Sequence, residues 1–91
     1  MVLASKRYPK EIEEVRMKLR GDERKVFDYF LYHVSVGEII ALRELKLRYG
    51  VEDPLGVIVK LIDKGYIERG EGCYNLAKRY REILWDLKKQ V

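Results

Sequence analysis

Leu61–Leu76 reads LIDKGYIERGEGCYNL, and the punctuation inside it decides the architecture. Leu61 and Ile62 close an apolar helical face, and Gly65 stops that helix. The string YIER is a short strand, Gly70-Glu71-Gly72 is a tight turn, and CYNL returns as a second strand. A helix therefore runs directly into a two-stranded hairpin.

Upstream, Asp53-Pro54 opens that helix as a cap followed by proline at the first helical position. Val57, Ile58, Leu61 and Ile62 are its buried side. The preceding string ELKLRYGV (Glu44–Val51) ends another helix, which carries Leu42, Leu45 and Tyr49 on one face and stops at Gly50. Ile39 and Ile40 read as a short extended piece before it. Farther upstream, Val26, Phe27, Phe30, Leu31 and Val34 give a wide apolar face on a helix that Asp22 can cap and that ends near Gly37.

The N-terminal helix opens at Pro9, carries Glu11, Glu13 and Glu14 at its positive end, and stops at Gly21 after Arg16, Lys18 and Arg20. Its stripe of Tyr8, Ile12, Val15 and Leu19 is narrow, so it either covers the core or helps form a dimer. Downstream of the hairpin, a final helix from Lys78 to about Gln90 places Tyr80, Ile83, Leu84, Leu87 and Val91 on one side. There is no repeat, low-complexity segment or linker. The expected organisation is one domain over residues 1–91, with an N-terminal helical extension (1–21), a core (22–76) and a C-terminal helix (77–91). The class is mainly α with a small β-hairpin, an α+β fold.

The order helix, short strand, helix, turn, helix, hairpin, helix resembles the winged helix-turn-helix family. ELKLRYGV is similar to that family's second helix and turn, E-L-A-x-x-L-G-V, with Gly50 supplying the left-handed turn. LIDKGYIERGEGCYNL is similar to its L-x-x-K-G-[LY]-I-E-R string followed by wing and return strand. The resemblance covers residues 22–90 and implies a recognition helix after Gly50 and a wing at Gly70–Gly72. Most members bind duplex DNA with that helix in the major groove, while a minority use the same surface for proteins. Fold alone does not choose between them.

The outward residues of the implied recognition helix choose poorly for DNA. They are Glu52, Asp53, Leu55, Gly56, Val59 and Lys60, where base readout calls for arginine, lysine, asparagine, glutamine or serine. Glu52 and Asp53 repel phosphate, and only Lys60 suits the task. The wing offers Arg69 beside Glu71, a weak minor-groove probe. Lys46 replaces the family's small residue, and Leu47 beside it points outward. Leu47, Leu55 and Val59 then make an exposed apolar patch of the kind that docks a protein; a helical phase shifted by one residue would instead make them core.

The chain carries a net charge of +4 with pI near 9.2, a balance that directs attention to nucleic acid. The excess sits at the ends: residues 1–25 and 78–91 each carry +3, residues 26–50 are neutral, and residues 51–77 carry −2. Lys6, Arg7, Lys10, Lys78, Arg79, Arg81, Lys88 and Lys89 can straddle phosphates without reading sequence, or serve only as solubilising charge. Lys60 and Arg69 complete the expected backbone-contact set.

Asn75 and Gln90 are the only side-chain amides, amid abundant lysine, arginine and glutamate, a composition reported for hyperthermophiles. The first residues lack a signal-peptide core, no apolar run is long enough to cross a membrane, and one cysteine forms no internal disulfide, so a cytoplasmic location is expected. Cys73 has no zinc-ligand neighbours and reads as a small hydrophobe. The lone His33 reads as an edge-of-core residue, and Asp22, Glu23 and Asp28 as a solvated face. No catalytic residue, metal or cofactor is expected. Trp85 stands about 140° from Tyr80 at 100° per residue, so it is either an exposed interface residue or tucked against the N-terminal helix.

The combined expectation is a non-catalytic accessory subunit of a DNA-handling complex. It would dock to a protein partner through Leu47, Leu55, Val59 or Trp85 and make weak, salt-sensitive contacts with duplex DNA. Small basic accessory proteins of archaeal replication or transcription machinery are similar in size and character. The rival is a dimeric, sequence-specific transcriptional regulator.

Overall fold

The structure, a computed structural model, describes residues 8–89, with the side chains of residues 8–88. Lys6, Arg7 and Val91 lie outside the described residues. The order is α1 (Lys10–Lys18), α2 (Gly21–His33), β1 (Ser35–Gly37), α3 (Glu38–Leu47), α4 (Pro54–Asp63), β2 (Ile67–Arg69), β3 (Cys73–Leu76) and α5 (Lys78–Lys89). It is an α+β fold whose elements follow a winged-helix-like order.

The hairpin is as expected, but the sheet has a third strand. β3 lies between β1 and β2, antiparallel to both, with Val36 opposite Tyr74 and Glu68 opposite Asn75. The extra strand is Ser35–Gly37, whereas Ile39 and Ile40 belong to the first turn of α3. The helix starts early because Glu38 N donates to Gly72 O at 3.0 Å, which anchors its start on the hairpin turn. β-branched residues favour strands, but this pair is committed to a helix by what precedes it. The chain can turn so sharply after α2 because Val34 adopts φ 68°, ψ −50°.

The core gathers one face of every helix. Ile12 and Val15 of α1 and Leu19 just after it are buried, so the N-terminal helix covers the core. α2 contributes Val26, Phe27, Phe30 and Leu31, and α4 contributes Ile58 and Leu61. Phe27 sits at the centre, edge-on to Tyr66 at 5.8 Å and to Tyr80 at 6.0 Å. Such pairs add about 0.5–1.5 kcal/mol beyond their buried area.

Several expectations are corrected. α1 ends at Lys18, before extended Leu19 and Arg20, and Gly21 with φ 58° begins α2. Asp22 makes no side-chain cap; its carboxylate instead faces Lys25 at 3.9 Å. Tyr49 lies beyond the end of α3 and is exposed, its ring 5.6 Å from that of Tyr29. Leu87, expected on the inward side of the last helix, is exposed.

Candidate docking faces and charged surface

The turn between α3 and α4 is built from two backbone features. Gly50 takes φ 70°, a left-handed conformation that costs glycine little, and this brings Val51 N to 3.0 Å from Leu45 O. Val51 is thereby buried as a plug under the turn. Asp53 then caps α4, its Oδ1 accepting from Gly56 N at 3.1 Å. A Cβ on residue 56 would stand 2.2 Å from Asp53 Oδ2, so a side chain there would push the capping carboxylate aside.

With α4 fixed in this way, its phase is settled. Pro54, Ile58 and Leu61 are buried, whereas Leu55 is 46% and Val59 40% exposed. These two lie four residues apart, one above the other on the same face. Leu47, at the end of α3, is 75% exposed. Glu52, Asp53 and Lys60 are exposed as well. Leu47, Leu55 and Val59 are therefore not core.

The sequence reading missed two neighbours on α3. Ile39 is 74% and Ile40 58% exposed, and Ile40 shares a face with Leu47 two turns later. The signal was present: Ile40 is out of phase with Ala41 and Leu45, the buried pair of α3. With exposed Arg43 and Lys46, the solvent side of α3 is apolar and basic.

The basic residues differ in availability. Lys10, Lys60, Lys78, Arg79 and Lys88 are exposed, and Lys89 ends α5. Arg81 is half-buried, its Nε donating to Leu76 O at 2.8 Å and its Nη2 to Glu68 Oε1 at 3.1 Å. It pins α5 to the sheet. Arg69, the wing arginine, lies 5.6 Å from the centre of the Tyr74 ring, and Arg79 lies 5.4 Å from that of Tyr80.

His33 is exposed, not at the core edge, because α2 ends there; its ring stands 4.5 Å from that of Tyr29 and 5.0 Å from that of Tyr32. Cys73 is half-buried with Sγ 3.5 Å from Asn75 Oδ1. Asp28 receives Arg16 through both Nε (2.8 Å) and Nη2 (3.2 Å), tying α1 to α2. Glu23 accepts from Lys64 at 3.0 Å. Tyr29 donates to Glu44 Oε1 at 2.5 Å, and its hydroxyl pKa is raised by burial first and by Glu44 second. Among the described residues, no group of three His, Cys, Asp or Glu side chains could hold a metal ion. Nor is any described helix long and apolar enough to cross a membrane.

The family model of PolB1 Binding Protein 2 matches residues 20–82. The chain belongs to that family. The name denotes binding rather than a reaction. The matched span runs from the residue before α2 into the first turns of α5. It includes the α3–α4 face of this PolB1 Binding Protein 2 family member, with Leu47, Leu55 and Val59, and leaves out α1 and Trp85. No curated protein matches the chain.

Trp85 is 59% exposed, on the side of α5 that faces the end of α2. It borders a groove with Leu31 and Val34.

Proposed function

We propose that this chain is a non-catalytic accessory subunit of a DNA replication complex, docking to PolB1, a DNA polymerase. Membership of the PolB1 Binding Protein 2 family carries the proposal. The α3–α4 surface supports it. A winged-helix DNA reader places polar donors where this chain has Leu55 and Val59, and it does not open its recognition helix with Glu52 and Asp53. Leu47, Leu55 and Val59 form the docking patch in this reading.

The chain acts as one winged-helix domain in the cytoplasm, and its ends lend weak, sequence-independent contacts to the DNA backbone. Lys10, Lys60, Lys78, Arg79 and Lys88 are exposed and suited to that task; Lys6, Arg7 and Lys89 would extend the set. Arg69 and Arg81 contribute little, since one lies on Tyr74 and the other holds Glu68. A dimeric regulator would need base-reading donors on α4, and Lys60 alone does not supply them.

Mixing the purified chain with PolB1 and following both by size-exclusion chromatography with light scattering tests the reading. Co-elution at micromolar concentrations is expected. Separate elution, together with a discrete DNA footprint that survives physiological salt, would return the chain to the regulators.

A further inference from the structure

We propose that the groove between the end of α2 and α5 takes an acidic, apolar-anchored segment of the polymerase. This rests on the reading that the chain docks to PolB1, and it names a second contact with its own chemistry. The groove holds about 650 Å3 and is walled by Leu31, Val34, Leu84, Trp85 and Leu87. That volume lies in the range of sites that enclose drug-sized ligands, so more than one anchoring side chain fits. Its position is separate from the α3–α4 face, and Leu84, Trp85 and Leu87 lie beyond the family-matched residues.

The rim decides what occupies it. Lys78 and Lys88 stand at the rim with no ion pair among the described residues, against one acid, Glu82. Arg81 is also at the rim, but its donors are held by Glu68 and Leu76. A phosphate backbone would find nothing to bond with on the apolar walls. A second copy would bring the basic α5 against itself, and like charges placed face to face are costly. An occupant with large apolar anchors and flanking carboxylates satisfies both walls and rim.

The spacing is also set. Lys78 and Lys88 are ten residues apart on α5, which is about 15 Å at 1.5 Å per residue. Carboxylates flanking the anchors should therefore lie about ten residues apart in a helical segment, or about five in an extended one.

The probes are overlapping fifteen-residue peptides spanning PolB1, without tryptophan, and intact PolB1. Trp85 is the only tryptophan of the chain, so its fluorescence reports the groove directly. An acidic, apolar peptide is expected to shift the emission to the blue and shield it from acrylamide. The Lys78→Glu/Lys88→Glu chain, folded by circular dichroism, should bind that peptide and intact PolB1 at least tenfold more weakly, while Leu55→Ser/Val59→Ser keeps peptide binding unchanged.

The groove assignment falls if no peptide moves the emission, if the bound peptides are basic, or if charge reversal leaves both affinities as they were. It falls equally if the emission moves on self-association, seen as a dimer by sedimentation. In each of those cases a wild-type chain that still binds PolB1 preserves the docking reading. A wild-type chain that fails to bind PolB1 removes both.

Discussion

Replacing Val34 by glycine should cost almost nothing, although a half-buried valine is lost. At φ 68°, ψ −50° this residue sits close to a rare γ-turn geometry that a β-branched side chain tolerates badly. Two hydrogen bonds hold it there: Val34 N donates to Phe30 O at 2.8 Å, and Val34 O accepts from Leu76 N at 2.7 Å. Residues held in such regions store about 1–3 kcal/mol. Glycine releases that strain, loses about 1 kcal/mol to the freedom of the unfolded chain, and gives up about 1 kcal/mol of partial burial. The net change lies within about 1 kcal/mol of zero. Val36, also half-buried but in the regular strand β1, is the control. There Val36→Gly carries both losses with no release, about 2 kcal/mol. Guanidinium unfolding of the two variants, compared at equal m-values, measures the difference. If Val34→Gly is as destabilising as Val36→Gly, Val34 is not strained and the account of the α2–β1 turn is wrong.

Three further outcomes are expected. Leu55 and Val59 together expose about as much as one whole aliphatic side chain, so Leu55→Ser/Val59→Ser should weaken PolB1 binding by roughly 2 kcal/mol, about 30-fold, with the melting temperature almost unchanged; a variant that unfolds instead would show those residues to be core. Duplex DNA binding measured by fluorescence anisotropy should be weak and fall steeply with salt, and Lys78→Glu/Arg79→Glu/Lys88→Glu should lower the salt slope by about 2–3, whereas Lys60→Ala should lower it by at most about 1; abolition by Lys60→Ala alone would put α4 in the groove of DNA. Tyr29→Phe should cost about 1–2 kcal/mol at pH 7 by removing the bond to Glu44. The raised hydroxyl pKa means that this stabilisation is complete below the ordinary tyrosine value near 10 and is lost as pH rises toward the folded value, so the gap between wild type and Tyr29→Phe in thermal melts should narrow from pH 9 to pH 11; a constant gap would contradict the assignment.

The helices and hairpin were legible because their signals are local. Asp53-Pro54 caps and starts α4 within adjacent residues, and Gly70-Glu71-Gly72 turns the hairpin whatever surrounds it. β1 was not legible, because it exists only through pairing with β3 some forty residues away, and Ser35–Gly37 carries no strand signature of its own. Ile39-Ile40 carried a strong one and misled, since the hydrogen bond from Glu38 N to Gly72 O starts a helix there. Asp22 has the chemistry of a cap, but the chain enters α2 through Gly21 in a left-handed conformation that leaves its carboxylate turned to Lys25.

The candidate surface shows the same division between residue type and context. Exposure of Leu47, Leu55 and Val59 followed from helical phase, because α4 has one buried line, Pro54–Ile58–Leu61, and everything opposite must face water. The basic residues could not be sorted that way. Arg81 and Lys78 look alike in sequence, yet Arg81 finds Glu68 of β2 and the carbonyl of Leu76, and becomes part of the scaffold. Lys78 reaches neither acceptor with its side chain, so its charge stays at the rim of the α2–α5 groove. A net charge of +4 therefore overstates what DNA can use, while two lysines beside an apolar groove give it the sign that selects an acidic partner.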